Sequence, residues 1–372
     1  MSGARPVGSS LDYEAVGVVD TGRDEAGLGE LGQWVRKTFD LNVRPLLPLG
    51  YFANVVPLTA DEGVAISTDG VGTKILVAEE MGVYDTIGID CVAMNANDVI
   101  CVGARPLAMV DYIGLQEAKP AFLGELAKGL HAGAEAAGIT IPGGEIAQIP
   151  EMITGVRHGY GFDLVGTCIG RVPLARIIVG ADIQPRDVVV GITSSGVHSN
   201  GFTLTRRVLE RAKVPLSAPF ADSGHRLGEE LLIPTRIYVK EVVRMLDDGL
   251  ALKALIHVTS TGFLNLTRVK AEVGYVLDAL PEPQPIFPFI QKLGAIEDAE
   301  MFRVYNMGVG FGVIVAPADA DAVIRIARAH GHAASVIGFA VSDPRRRVWL
   351  PQRGLVGEND RFTASRDRPP VE

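Results

Sequence analysis

Four times along this chain a short apolar stretch stops at a turn made of glycine, hydroxyl and acidic residues. Residues 64–67 run into Asp69-Gly70-Val71-Gly72-Thr73-Lys74, and residues 139–141 into Gly143-Gly144-Glu145. Residues 187–192 run into Thr193-Ser194-Ser195-Gly196-Val197-His198-Ser199-Asn200-Gly201, and residues 254–258 end in His257-Val258-Thr259-Ser260-Thr261-Gly262. A fifth turn, Asn306-Met307-Gly308-Val309-Gly310, opens the strand expected at 309–315. Apolar runs of this length bounded by such clusters read as strands. Further strands are expected at 107–113, 164–169 and 334–338. Helices are expected at 75–81, 86–102, 121–137, from Phe202, at 237–246 and at 318–329, from apolar spacing near 3.6 residues. Residues 1–60 read as irregular with one helix around 28–39, residues 281–288 as a proline-rich rigid loop, and the tail beyond Arg353 as polar and frayed. Several strands lack a following helix, so the order predicts α+β architecture rather than a doubly wound sheet.

A chain of 372 residues, 47% hydrophobic, is long enough for two domains. The pattern divides it into residues 1–170, residues 171–350 and a polar tail, 351–372. The formal net charge of −9 argues against a broad basic surface, hence no nucleic-acid partner. A phosphate ligand would have to be held locally, by loop amides, helix N-termini and a bridging metal ion. Cys91, Cys101 and Cys168 sit in apolar stretches with no C-x-x-C pair, as buried thiols of a reducing, cytoplasmic compartment do. No apolar run reaches the length of a membrane span, and the first residues show no signal-peptide core.

In the first turn, Gly70 and Gly72 allow close approach of the backbone to a phosphate. Thr73 adds a hydroxyl, Lys74 a point charge and Asp69 a metal ligand. The spacing is not that of a Walker loop, and an ordinary glycine turn has the same appearance. The helix at 86–102 is apolar except for Asp90, Asn95, Asn97 and Asp98. Asp90 and Asn97 share nearly one face, and Asp98 lies about 100° further round. Carboxylates on a buried helix need a partner or a metal, so buried salt bridges are one reading. The other is that Asp69 and Asp98 supply hard oxygen ligands for Mg2+, with Glu145, after Gly143 and Gly144, as a third. Ser194, Ser195, His198, Ser199 and Asn200 bring hydroxyls, an amide and an imidazole to a helix N-terminus, a setting suited to an anion; Ser199 or Asn200 would also cap that helix. His257 with Thr259, and Asn306 with Gly308, are weaker candidates of the same kind. His131, His158, His225, His330 and His332 lack supporting context.

Taken in order, these segments resemble the AIR synthetase (phosphoribosylformylglycinamidine cyclo-ligase) family. The matching text is Thr68 to Lys74, Asp85 to Asp90, Met94 with Asn97-Asp98, Gly103-Ala104-Arg105-Pro106, Gly143-Gly144-Glu145, Ser194-Ser195-Gly196 with His198 to Gly201, Pro234 to Lys240, His257 with Thr259, and Asn306 to Gly310. The resemblance implies two consecutive α/β domains, a homodimer paired through the N-terminal domains, and an active site in the cleft between domains. It implies ATP and Mg2+ as cofactors and a small-molecule ribonucleotide as substrate. In the implied reaction the formyl oxygen of formylglycinamidine ribonucleotide attacks the γ-phosphate of ATP, a substrate nitrogen then displaces phosphate, and the imidazole ring closes. It further implies Lys74, His198 and His257 as catalytic residues. Four segments depart from the family pattern: Ile146-Ala147-Gln148 after Glu145, Ser260-Thr261 where glycines are usual, Gly17-Val18-Val19, and a shortened loop, Leu49 to Asn54. Ser260 and Thr261 are expected to crowd a phosphate, and Thr261 to resist φ > 0, giving a weaker or altered cyclase. The alternative is a diverged ATP-binding paralogue with another substrate or no cyclase activity. A selenophosphate synthetase would need a reactive cysteine in residues 1–60, which hold none.

Overall fold

The computed structural model describes residues 11–13, 16, 21–220, 224–367 and 369–370. The altered segment Gly17-Val18-Val19 lies outside them. Ten α-helices and thirteen strands are present among the described residues. The first sheet contains β1 (Asn54–Pro57), β2 (Glu62–Gly70), β3 (Arg105–Leu115), β4 (Gly144–Gln148) and β5 (Phe162–Pro173), in the spatial order β1-β2-β5-β3-β4. Only the β3–β4 pair is parallel. Along β2 the buried residues alternate: Ala65 and Ser67 face inward while Ile66 and Thr68 are open. The helices of this half are α1 (Thr21–Arg36), α2 (Lys74–Met81), α3 (Ile87–Ile100) and α4 (Pro120–Ala137).

Helix α3 is the centre of the molecule. One side lies on β2 and β5 and against α4. Its glycine is needed there: a Cβ on Gly88 would stand 2.2 Å from the backbone nitrogen of Leu130, and one on Gly129 of α4 2.2 Å from the carbonyl oxygen of Asp85. A glycine in a helix interior, as Gly129 is in α4, weakens the helix by roughly 1 kcal/mol; here Gly88 and Gly129 together permit the approach of two backbones. The other side of α3 meets the second half of the chain, α7 (below) and the strand carrying His257.

The second sheet holds β6 (Val188–Thr193), β7 (Ala254–His257), β8 (Gly274–Val276), β9 (Val309–Val315), β10 (Ala334–Val341), β11 (Val348–Leu350), β12 (Leu355–Glu358) and β13 (Arg361–Ala364), ordered β13-β12-β11-β8-β10-β6-β9-β7. Helices α5 (Phe202–Ala212), α6 (Leu227–Leu231), α7 (Val239–Asp247), α8 (Ile286–Gly294), α9 (Asp298–Val304) and α10 (Ala320–Ala329) belong to this half. α10 packs on β6 and β10, and α5 against α8. Every residue of β9 is buried, as expected of a central strand read as an unbroken apolar run.

The α+β expectation of two consecutive mixed units agrees with this architecture. Three details differ. Residues 139–141 contribute a single bridge, Ala108 to Thr140, and the strand begins instead at Gly144. The proline-rich stretch ends in a helix, because α8 starts at Ile286 and its first turn has no intrahelical use for the N–H that Pro288 lacks. The tail is not frayed from Arg353: β12 and β13 form a hairpin on the sheet edge, with Leu355, Gly357 and Phe362 turned inward. Alternate polar residues made this hairpin look like a solvated tail.

Candidate active site at the domain junction

Asp69 stands at the end of β2, where α3 fixes it from below. Its N–H donates to Asn95 Oδ1 at 2.9 Å, and Asn95 Nδ2 donates back to the Asp69 carbonyl at 3.0 Å and to that of Cys91 at 2.9 Å. The Asp69 carboxylate accepts the Gly70 N–H at 2.8 Å. Its pKa is pushed up from 3.8 to about 6, first by burial and then by the charge of Asp98; the Gly70 N–H and His257 oppose the shift. Asp98 Oδ1 is 2.9 Å from His257 Nδ1, and His257 is wholly buried. Asn97 Nδ2 approaches His257 Nε2 at 3.4 Å. An amide nitrogen only donates, so that contact assigns the proton to Nδ1, which donates to Asp98. A carboxylate whose charge is opposed by burial and by a second carboxylate suits a divalent ion: oxygen donors are what Mg2+ takes, often from one or two carboxylates plus substrate phosphates. Among the described residues no group of three His, Cys, Asp or Glu side chains could hold a metal unaided.

Above this pair the backbone is open. Gly72 has φ +73° and a Cβ there would meet nothing within 4 Å. Thr73 starts α2, its hydroxyl 2.9 Å from that of Thr203 on α5. Gly72 and Thr73 thus form a turn with free space for a phosphate, next to the acid pair.

Other sequence candidates lie in a closed seam. Lys74 is fully buried, its ammonium hydrogen-bonded to Asp90 Oδ1 at 3.0 Å and to the Ile233 carbonyl at 2.8 Å, with Asp90 Oδ2 in ion-pair contact at 2.8 Å. Burial lowers its pKa and Asp90 opposes the shift. Asp90 also accepts the Thr235 N–H at 2.7 Å, the Thr235 hydroxyl at 2.6 Å and the Ser199 hydroxyl at 3.2 Å. Asn97 donates to the Arg236 carbonyl and accepts the Tyr238 N–H, both at 2.9 Å. For Lys74, Asp90 and Asn97 the structure corrects the ligand reading: polar groups buried in this seam bond one another across the two halves of the chain, the salt-bridge alternative.

The loop after β6 is tied from behind. Ser194 N–H donates to the Gly308 carbonyl at 3.0 Å, and Gln284 Nε2 to the Ser194 carbonyl at 2.7 Å. Asn306 donates to the Gly196 carbonyl at 2.8 Å and accepts the Gly308 N–H at 2.9 Å. Ser195 Oγ donates to the Pro234 carbonyl at 2.6 Å. Asn306 and Gly308 therefore shape the loop. Neither Ser199 nor Asn200 caps α5; the N-cap is Gly201 at φ +81°, because Ser199 is turned to Asp90. His198, at φ +65° and buried, accepts the Ser195 N–H on Nε2 at 3.2 Å, which leaves Nδ1 protonated and without a partner. Burial and the nearby charge of Lys74 and Arg236 push its pKa well down, so the ring is neutral.

Glu145 does not join the acid pair. Asp69, Gly166, Asp111 and Gly144 form one register row across four strands. At about 4.8 Å per strand Gly144 is roughly 14 Å from Asp69, and Glu145, opposite Tyr112, projects from the other face of the sheet. Gly143 and Gly144 are exposed at the edge strand. The Ser260–Thr261 expectation is also corrected. Thr261 has φ −106°, Ser260 is not among the residues with positive φ, and only Gly262 is left-handed, at +55°. Thr261 Oγ1 donates to Asn265 Oδ1 at 2.7 Å and Asn265 Nδ2 to Thr259 Oγ1 at 3.2 Å, so the hydroxyls satisfy the loop itself without strain. Sequence reading gave no site role to Asn95, Thr235 or Gln284. Asn95 had a signal, an amide on an apolar helix; the other two act through contacts between segments far apart in the chain.

Two family models match: AIR synthase related protein, N-terminal domain, over residues 51–172, and its C-terminal domain over residues 184–350. A phosphoribosylformylglycinamidine cyclo-ligase of Methanothermobacter thermautotrophicus is 47% identical over 284 residues, 76% of this chain and 82% of the relative. One of Methanococcus maripaludis is 39% identical over 329 residues, 88% of this chain and 91% of the relative. Among solved structures, a HypE–HypF complex chain superposes with a TM-score of 0.61 at 18% identity, covering 89% of this chain and 99% of that chain.

Proposed function

The chain belongs to the AIR synthase related family, and from that membership and the acid pair at the domain junction we propose that it is a phosphoribosylformylglycinamidine cyclo-ligase of purine biosynthesis. It closes formylglycinamidine ribonucleotide to 5-aminoimidazole ribonucleotide with conversion of ATP to ADP and phosphate. The observation that carries the reading is the Asp69 carboxyl, held near a pKa of 6 beside Asp98 at the mouth of an open glycine loop.

In this proposal the first unit, residues 1–170, binds ATP and dimerises, and the second unit closes the junction over it. Asp69 and Asp98 would hold Mg2+, which when bound neutralises phosphate charge. The amides of Gly72 and Thr73, which have no partner among the described residues, hold the triphosphate. Asn95 fixes the backbone at Asp69, and His257 is a positioning residue that orients Asp98 through Nδ1–H. His198, neutral, offers its unmatched Nδ1–H to the substrate. The formyl oxygen, held in line, attacks the γ-phosphorus as the bond to ADP breaks. A substrate nitrogen then attacks the activated carbon, phosphate leaves, and the ring nitrogen loses its proton. Catalysis in this scheme is positioning and charge neutralisation.

Dimerisation is supported by the face of the first sheet turned away from α3. Ile66 and Ile169 are cross-strand partners there, and Val110 and Tyr112 stand on the adjacent strand; all four are between 38% and 45% exposed. An apolar sheet face of this kind marks an interface. A cytoplasmic setting is supported by the free, buried thiols of Cys91, Cys101 and Cys168. No helix among the described residues is long and apolar enough to cross a membrane. The functional test is complementation. The gene should restore growth without purines to a bacterium lacking its cyclase, and the Asp98→Asn form should not; growth restored equally by both would contradict the site.

A further inference from the structure

Arg268 closes the 3-10 helix Gly262–Arg268 that follows the His257 loop. It reaches from the second unit to the first, with its guanidinium carbon 4.9 Å from the centre of the Phe52 ring. It is partly buried, and burial pulls its pKa down, while the charge of Asp98 acts the other way. A guanidinium has five N–H donors. Among the described residues Arg268 nevertheless makes no hydrogen bond and no ion pair. Asp98, the acid whose charge it feels most, has given one oxygen to His257.

A second donor nearby is also unmatched. The Tyr51 hydroxyl is buried without a partner, and burial raises its pKa far enough to keep it an O–H donor. Tyr51 and Phe52 are held at an edge-to-face centroid distance of 5.5 Å. The Phe52 carbonyl accepts the Ser67 hydroxyl at 3.3 Å, so the aromatic platform is fastened to the strand that carries Asp69. The ring beneath it gives the guanidinium no hydrogen-bond acceptor, and the buried Tyr51 hydroxyl is left unmatched. An oxyanion would serve both, since a guanidinium takes two phosphate oxygens at once.

We propose that Arg268, with the Tyr51 hydroxyl beside it and the Phe52 ring beneath it, is an anion seat that takes a phosphate oxyanion of the ligand held at the domain junction. The identity of that ligand rests on the function proposed above. Two phosphates would come to such a site, the 5′-phosphate of the ribonucleotide and the γ-phosphate of ATP, and the seat is defined by the chemistry they share.

The test reads binding rather than turnover, so that it stands apart from the cyclase reading. Calorimetric titration of inorganic phosphate, Mg-ATP and formylglycinamidine ribonucleotide is compared for the wild type, Arg268→Gln, Arg268→Lys and Tyr51→Phe. Loss of charge-assisted bonds at Arg268→Gln should weaken one phosphate ligand by about 10- to 100-fold and abolish binding of inorganic phosphate. Arg268→Lys, which keeps the charge and loses the fork, should fall between, and Tyr51→Phe should weaken the same ligand by a smaller factor. A loss confined to the ribonucleotide assigns the seat to the 5′-phosphate; a loss confined to Mg-ATP assigns it to the γ-phosphate. If Arg268→Gln does not fold, Arg268→Lys and Tyr51→Phe decide. Affinities within about threefold of wild type for all three ligands in the folded variants overturn the proposal and leave Arg268 as a packing residue. Phosphate binding that depends on Arg268 in a protein that forms no aminoimidazole ribonucleotide would keep the seat and refute the cyclase.

Discussion

Replacing Asp69 by asparagine removes a carboxylate whose surroundings oppose its charge. In the folded chain this carboxyl holds its proton up to a pH of about 6, against 3.8 when unperturbed. Below pH 3.8 both states are protonated and the group contributes nothing. As pH rises towards 6 the unfolded chain releases the proton before the folded one, so stability falls; above 6 the deficit is constant. Raising the pKa from 3.8 to about 6 destabilises the folded chain by about 3 kcal/mol once the group is ionised, an upper bound because part of the charge is screened. At pH 5 the deficit is about half as large. Asparagine keeps an oxygen for the Gly70 N–H and is neutral at every pH. Without divalent cations the variant should therefore be more stable than wild type by about 2–3 kcal/mol at pH 8 and by about 1–1.5 kcal/mol at pH 5. Mg-ATP should reverse the order at pH 8 by stabilising the wild type alone. Urea unfolding at pH 5, 6, 7 and 8, in chelator and then in Mg-ATP, reads both effects. A variant less stable than wild type at pH 8 in chelator, or a difference that does not change with pH, would refute the electrostatic argument.

Asp98→Asn should lower Mg-dependent ATP affinity at least about tenfold with the fold retained, measured by calorimetry; unchanged binding removes Asp98 from the metal pair. Lys74→Met leaves Asp90 charged and buried without its cation and should lose about 3–5 kcal/mol of stability; a loss under about 1 kcal/mol in chemical denaturation would show that the seam tolerates the charge. Val110→Lys places a charge on the open apolar sheet face and should give a monomer in sedimentation at micromolar concentration, whereas a variant that sediments like wild type moves the interface elsewhere. Ser260→Gly with Thr261→Gly removes no strain and breaks the Thr261–Asn265 bond, so turnover should not rise and stability should fall by about 1 kcal/mol; faster turnover would mean that the side chains do obstruct a ligand.

Much of the first unit could be read from its local patterns. The strand at 64–67, the helix after Gly72 and the apolar helix carrying Asp90, Asn97 and Asp98 have the character the sequence predicts, and Asp69 and Asp98 are near enough for each to feel the other's charge. Periodicity placed the polar residues on α3 but could not say what faced them. Asp90 meets Lys74 and Thr235, whereas Asp98 meets His257; both helix positions are acidic, and only the packing of the second unit separates a salt bridge from a ligand. Glu145 was misread for a related reason. Its position along the strand resembles that of Asp69, but strand order, which local pattern does not encode, sets the two about 14 Å apart. At Thr261 the family comparison suggested strain, and the backbone took an ordinary φ instead. Arg268 carried no sequence signal; what marks it is the set of donors that the folded chain leaves unmatched.

Ring closure driven by ATP is tested most directly by one stoichiometry. Purified protein is incubated with formylglycinamidine ribonucleotide, ATP and Mg2+ above pH 7, and 5-aminoimidazole ribonucleotide, ADP and phosphate are quantified together. The three products should appear in equal amounts, and all three should cease when Mg2+ is chelated. ATP bound in a Mg-dependent way with no aminoimidazole ribonucleotide formed, or ADP released without it, would contradict ring closure and leave an ATP-binding relative with another substrate.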